Sequence, residues 1–148
     1  MGIFNEEEQE RISNAIADAE NQTSGEIRIA IDKHCPGDAL EKATSYFSKL
    51  GMDQTNLHNG VLIYLAYEDH KFAIIGDRGI NKVVPPDFWE TTKVAMGAHF
   101  ATGQLADGLI AGISLAGEKL AIFFPSTHDD INELPNDIMY MDQQKPNN

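Results

Sequence analysis

Hydrophobic residues recur along this chain at two spacings, one helical and one strand-like. Helical spacing, as at Ile12, Ile16 and Ala19, predicts four helices, over residues 6–20, 39–50, 88–99 and 105–123. Before each of the first three, an Asn or Asp is followed three residues later by Glu, a pair that caps helix N-termini. The pairs are Asn5 with Glu8, Asp38 with Glu41, and Asp87 with Glu90.

Strand-like patterns predict a small sheet. Ile27, Ile29 and Ile31 alternate with other residues, whereas 60–67 is an almost continuous apolar run, typical of a central strand covered on both faces. The short interval before 71–76 predicts an antiparallel hairpin, and the helix between the first two strands predicts a parallel crossover. A short edge strand is also expected at 80–84. Together these elements predict a three-layer α/β/α sandwich, with a small mixed sheet of about four strands flanked by helices on both faces.

The composition describes one acidic domain followed by an acidic tail. The 148 residues include 23 acidic and 11 basic side chains, which gives a net charge of −12. After a domain at 1–124, residues 125–148 carry five acids and three prolines, so we expect a loosely ordered C-terminal tail. A protein this acidic lacks the basic face that nucleic acids require, so we expect no nucleic-acid partner.

No targeting or membrane feature is expected from the sequence. No apolar run reaches the roughly 18–20 residues that cross a bilayer, and the acidic N-terminus does not resemble a secretory signal. The single cysteine, Cys35, cannot form an intramolecular disulfide. We therefore expect a soluble protein of the cytoplasm.

Common catalytic motifs are missing from the sequence. It has no phosphate-binding loop, no dinucleotide fingerprint and no nucleophile elbow. It has no Asp-x-Asp motif after a strand, and no arginine follows Cys35 at phosphatase spacing. The histidines lack the paired spacing of a zinc site. What remains is the chemistry of oxygen ligands.

Oxygen-bearing side chains are expected at one edge of the sheet. Because the third strand runs antiparallel to the others, its end meets their starts, which could bring together Glu26, Asn59, Asp77 and Asp87. Carboxylate and amide oxygens suit Ca²⁺ or Mg²⁺. In the structural alternative, Asp87 only caps a helix, Asp77 pairs with Arg78 in a turn, and Glu26 is a solvated strand residue.

Three weaker candidates lie elsewhere in the chain. The opposite edge of the sheet, where parallel strands end and ligands often bind, carries six polar or thiol side chains. These are Asp32, His34, Cys35, Glu68, Asp69 and His70. Asp107 is a third-rank candidate whose structural role would be to favour the start of the last helix. The tail acids around 129–133 lack the glycine of a calcium loop.

Several ordered motifs resemble one known family. They are TSGEIRI at 23–29, NGVLIY at 59–64 and KFAIIGDRGI at 71–80, with further likeness at 88–89, 108–110 and 132–138. Together they resemble the TPM domain family, most closely its short soluble bacterial members. The resemblance implies a four-stranded mixed sheet with helices on both faces and a capacity for divalent cations, chiefly calcium. It also implies a phosphatase label that comes from plant thylakoid relatives.

Two functions are compatible with these features. The first is a non-catalytic module that binds a divalent cation, Ca²⁺ or Mg²⁺, and presents a surface to a protein partner. The alternative is a weak metal-dependent phosphomonoesterase, in which Asp77, Asp87 and Glu26 hold the cation and Arg78 offsets the phosphate charge.

Overall fold

The computed structural model describes residues 3–126 and 138–143. The described residues form five helices and a four-stranded sheet, as predicted for an α/β fold. In chain order the elements are α1 (Glu6–Glu20), β1 (Glu26–Asp32), α2 (Ala39–Lys49), β2 (Gly60–Ala66), β3 (Lys71–Gly76), α3 (Arg78–Asn81), α4 (Glu90–Ala101), α5 (Leu105–Phe123) and β4 (Ile138–Tyr140).

The sheet is mixed, with the strand order β3-β2-β1-β4. β1 and β2 are parallel, with Glu26 opposite Gly60, and β3 is antiparallel to β2, with Gly76 opposite Val61. The predicted crossover and hairpin are therefore confirmed. The starts of β1 and β2 and the end of β3 share one edge of the sheet, as the sequence argument required.

Helices cover both faces of the sheet. Ile27, Ile29 and Ile31 project into a core formed with α1, α4 and α5, whereas Ala30 projects into a second core with α2. All seven residues of β1 and all seven of β2 are buried, because each strand is covered on both sides. The predicted sandwich is thus confirmed.

Two of the predicted caps are present. The Glu8 N–H donates to Asn5 Oδ1 at 2.8 Å, and the Asn5 N–H donates to Glu8 Oε1 at 3.0 Å. Asp38 caps α2 by accepting from the Glu41 N–H at 3.4 Å.

Among the described residues, no helix has both the length and the apolar character needed to cross a bilayer.

The fourth strand is not where the sequence predicted it. The predicted strand at 80–84 is wrong, because the Asp77 side chain accepts from the next N–H at 2.7 Å and begins the short helix α3. That helical turn places Ile80 fully in the core. β4 instead comes from 138–140, within the predicted tail, and pairs with β1 in parallel. Residues 127–137 and 144–148 of that tail lie outside the described residues.

Candidate functional site

A cleft of about 750 Å³ opens between α2 and the end of β3. Its lining is both apolar and polar. The apolar residues are Leu40, Phe47 and Ile75, and the polar side chains are those of Thr44, Ser48, Asp53, Gln54, His58, Asp77, Arg78 and Asn81. This is the sheet edge at which the sequence placed its first candidate site.

The loop before β2 is held in place by an unusually close backbone contact. The Gly79 N–H donates to the His58 carbonyl at 2.8 Å. A Cβ atom on Gly79 would lie 2.5 Å from that carbonyl oxygen, so only glycine fits there. His58 itself has a left-handed backbone, with φ of 50°. The contact fixes the side chain of His58 over the start of α3.

His58 lies between Asp77 and Arg78. Arg78 Nη2 is 2.9 Å from His58 Nε2, and because a guanidinium can only donate, Nε2 must accept. The remaining ring proton is therefore on Nδ1, which faces Asp77 Oδ2 at 3.4 Å. Both of these atoms are shielded from solvent, and neither makes a hydrogen bond with a described residue. The cleft therefore contains a carboxylate oxygen and a ring N–H that face each other without forming a hydrogen bond of ordinary geometry.

Glu26 and Asn59 lie at the predicted edge but do not line the cleft. Glu26 is 5% exposed and Asn59 is 1% exposed. The Asn59 side chain donates to Ser24 Oγ at 3.2 Å, and its main-chain N–H donates to Thr55 Oγ1 at 3.3 Å. Glu26 is not the solvated strand residue of the structural alternative, because it is buried.

Asp87 is exposed and lies apart from the cleft lining. It does not cap α4, which begins at Glu90 after Trp89 without a side-chain cap. That predicted cap is wrong because Phe88 turns into the core against Phe123, and the chain makes a turn before the helix starts. Of the four predicted ligands, the cleft lining contains Asp77. Within 3–126 and 138–143, no three His, Cys, Asp or Glu side chains form a group able to hold a metal ion.

Two of the acids at the opposite edge of the sheet make hydrogen bonds within the fold. Asp32 is buried, and its Oδ2 accepts from the hydroxyl groups of Tyr46 and Tyr64, each at 2.7 Å. Asp69 accepts from His34 at 3.1 Å and from the Cys35 N–H at 2.6 Å. Both bonds lower the pKa of Asp69, and the bond with His34 has the larger effect. Asp32 and Asp69 are therefore engaged within the fold, whereas Glu68 is exposed and makes surface ion pairs with Lys33 and His34.

Asp107 also has a structural partner. Its carboxylate accepts from Arg11 Nη2 at 2.7 Å, which ties the first turn of α5 to α1. The acidic cluster at 129–133 lies outside the described residues. Sequence reasoning missed several polar residues of the cleft, among them Asp53, Asn81 and His58. For His58 the signal in the sequence was its position just before the Asn-Gly that opens β2.

Comparisons with known proteins identify the family. A family model described as the TPM domain matches residues 1–119. The NMR structure of the BA42 protein from the psychrophilic bacterium Bizionia argentinensis is 48% identical, with a TM-score of 0.89 over 94% of this chain and 96% of that chain. The N-terminal domain of the cg2496 protein from Corynebacterium glutamicum shares the fold at 16% identity, with a TM-score of 0.66 over 86% of this chain and 80% of that chain.

A comparison with curated proteins finds no match. The family match spans most of the chain, and it confirms the resemblance carried by the sequence motifs. The chain belongs to the TPM domain family.

Proposed function

We propose that the chain is a divalent-cation-binding module and that its cation lies in the cleft between Asp77 and His58. The observation that carries this proposal is the pair formed by Asp77 Oδ2 and His58 Nδ1. They are 3.4 Å apart, buried and without hydrogen bonds to described residues. A buried acceptor without a donor costs about 1–3 kcal/mol, and a cation bound to Asp77 Oδ2 would remove that cost. His58 Nδ1 can bind the same cation only when its proton is lost or moves to Nε2, which then no longer accepts from Arg78.

The separation of these atoms favours some ions over others. Two ligands at right angles around Ca²⁺, with bonds of about 2.4 Å, lie about 3.4 Å apart. The same angle around Mg²⁺, with bonds of about 2.05 Å, gives about 2.9 Å. Two ligands of a tetrahedral Zn²⁺ also lie about 3.4 Å apart. The carboxylate suits calcium and the imidazole suits zinc, so both ions belong in the test.

The expected affinity is low. Asp77 and His58 would supply ligands directly, and Asp53 and Asn81 line the same cleft. Water would complete the coordination shell. We therefore expect a dissociation constant for Ca²⁺ of about 10⁻⁴–10⁻³ M, the range of weak protein calcium sites. Such a site suits a binding or accessory role, and it requires no nucleophile or general base.

The test is a backbone NMR titration with Ca²⁺, Mg²⁺ and Zn²⁺ on the wild type, Asp77→Asn and Asp87→Asn. Asp87→Asn is the matched control, because it removes an exposed carboxylate of the originally predicted set that lies outside the cleft lining. We expect shifts at 53–58 and 76–81, a loss of at least about tenfold in affinity for Asp77→Asn, and an unchanged Asp87→Asn. Equal losses in both variants, or no loss in either, would contradict the site.

A second candidate function has one observation in its favour. Arg78 is exposed at the mouth of the cleft, where its guanidinium could pair with a phosphate next to the cation. A protein of net charge −12 repels an anionic substrate, so phosphatase activity would need the cation. Hydrolysis of an aryl phosphate should then require Ca²⁺ or Mg²⁺ and fail in Asp77→Asn. Activity that survives both EDTA and this substitution would exclude the mechanism.

A further inference from the structure

β3 is an outermost strand of the sheet, and its long side away from β2 offers backbone hydrogen-bonding groups to a further strand. The Asp77 N–H donates to the Gly60 carbonyl at 2.9 Å, so these two residues are a hydrogen-bonded pair of the antiparallel ladder. Along such a ladder, hydrogen-bonded pairs alternate with pairs that are not hydrogen-bonded to each other. In the register of β3 and β2, that alternation points the N–H and C=O groups of Phe72 and Ile74 away from β2. Within the described part of the chain, no strand pairs with this edge.

This edge lacks the features that usually protect a free strand. β3 is six residues long, reads KFAIIG and contains no proline. Its pairing with β2 is continuous, without a bulge. Its one charged side chain, Lys71, is held by the carbonyls of Cys35 and Gly37 at 2.8 and 2.7 Å. Natural proteins usually protect long apolar edges with charges, prolines or bulges, so an open one indicates a pairing site.

A groove runs beside the strand. The cleft of about 750 Å³ faces the end of β3, and a second cavity of about 400 Å³ faces its start. The two cavities are lined by neighbouring residues, Ala39 and then Leu40 on α2, and by successive parts of β3, Phe72 and then Ile75. We call the two together the α2–β3 groove. It follows the roughly 20 Å length of a six-residue strand.

The charges along the groove favour a basic occupant. Asp38 lies at one end, and Asp53 and Asp77 lie at the other. No Lys or Arg of the described residues forms a salt bridge with any of these three acids. The lining also contains two cations, Lys71, which donates to backbone carbonyls, and Arg78, which donates to His58. Three acids against two cations leave the lining with a small negative charge, in a chain of net charge −12. The middle of the groove is apolar and is formed by Leu40, Phe47 and Ile75.

We propose that an extended basic peptide segment of a partner protein binds in the α2–β3 groove and adds a strand to β3. Main-chain bonds to Phe72 and Ile74 hold the backbone of the peptide, and alternate side chains enter the groove. A second copy of this chain fits less well, because it would bring the same acids and another charge of −12 to the interface. The proposal goes beyond cation binding and does not depend on it.

The probe is the synthetic peptide acetyl-Lys-Thr-Val-Thr-Val-Thr-Lys-amide. Alternation places its valines over the apolar middle of the groove and its lysines at the two ends, one near Asp38 and the other near Asp53 and Asp77. Titration in EDTA keeps the result independent of the cation site. We expect saturable binding that slows hydrogen exchange of the Phe72 and Ile74 amides by about tenfold or more. Binding without protection of these two amides would overturn the proposal.

Three comparisons complete the test. The same peptide with glutamates in place of its lysines should bind at least about tenfold more weakly. Leu40→Lys should weaken binding by at least about tenfold, whereas the control Val94→Lys, on α4, should leave it unchanged. Both substituted residues are exposed, 53% and 70%, so both variants should fold. Equal binding of the two peptides would refute the proposal. Amide protection that rises with protein concentration in the absence of peptide would also refute it, and would indicate pairing between copies of the chain.

Discussion

Removal of the hydroxyl groups of Tyr46 and Tyr64 tests whether Asp32 is a structural acid or part of a ligand site. Both hydroxyls donate to the same oxygen, Asp32 Oδ2, at 2.7 Å, and Tyr64 is fully buried. A hydrogen bond to a charged group contributes about 1.5–3 kcal/mol to stability. We therefore expect Tyr64→Phe and Tyr46→Phe each to lower the free energy of unfolding by about that amount.

The double variant carries the sharper information. After one hydroxyl is lost, the other still donates to the buried oxygen of Asp32. When both are lost, that oxygen has no side-chain donor among the described residues. The cost of the double variant should therefore exceed the sum of the two single costs by about 0.5–3 kcal/mol, the range of coupled neighbours.

Urea denaturation at pH 7 measures all four proteins, and an unchanged slope shows that the unfolded states are comparable. Tyr67→Phe is the matched control, because the Tyr67 hydroxyl makes no hydrogen bond with a described residue and its loss should cost less than about 0.5 kcal/mol. Additive single costs would refute the shared-acceptor argument. Single costs as small as the control would show that Asp32 is not held by these tyrosines.

Three further predictions concern alkaline stability and the start of α3. Burial, followed by the hydrogen bond to Asp32, raises the pKa of Tyr46 and Tyr64 above the usual value of about 10. Above that pH the unfolded chain releases tyrosine protons that the folded chain keeps. The free energy of unfolding should therefore fall by about 1.4 kcal/mol per pH unit for each tyrosine. In urea denaturation at several pH values, each Phe variant should lack the part of this decrease that its tyrosine causes. Gly79→Ala should cost about 1–3 kcal/mol in the same assay, because its Cβ collides with the loop before β2, and a wild-type stability would contradict that contact. Ile80→Ala should cost about 2–5 kcal/mol and the exposed Val83→Ala less than about 0.5 kcal/mol, whereas similar costs for both would contradict the helical turn.

The sequence predicted those elements whose signals are local. α1 begins at Glu6 after its Asn5 capping box, and α5 spans the predicted 105–123, because caps and helical periodicity act within a few residues. The hairpin of β2 and β3 follows from a short polar interval between two apolar runs. These patterns leave the chain few alternatives.

The errors arose where distant contacts decide the structure. The pattern at 80–84 resembles a strand, but the Asp77 cap and the burial of Ile80 produce a helical turn. β4 has only three residues, and its place in the sheet depends on pairing with Ile29 and Ile31, far away in sequence. Such a short strand has no local signal that could mark it. Sequence reasoning therefore predicted the number of strands but gave the fourth to the wrong segment.

The sequence predicted where in the sheet the candidate site lies more accurately than it predicted which residues line the site. The topology placed Glu26, Asn59 and Asp77 at one edge, and the structure confirms that placement. Which of them line the cleft depends on side-chain direction and on the loop that carries His58. The left-handed backbone of His58 and its packing against Gly79 are tertiary features, and no spacing in the sequence indicates them.

The two edges at which the strands start and end differ in their candidate sites because β3 runs antiparallel to β2. In open parallel sheets, ligands bind at the carboxyl ends of the strands. Here the polar groups of that edge bond within the fold. Asp32 accepts from its two tyrosines, Lys71 donates to the Cys35 and Gly37 carbonyls, and Asp142 accepts from the Lys33 N–H at 2.9 Å. The antiparallel β3 carries its own carboxyl end to the opposite edge, where α3 begins at once. We therefore propose that the ligand site lies at the carboxyl end of β3, where the cation and peptide proposals meet at Asp77.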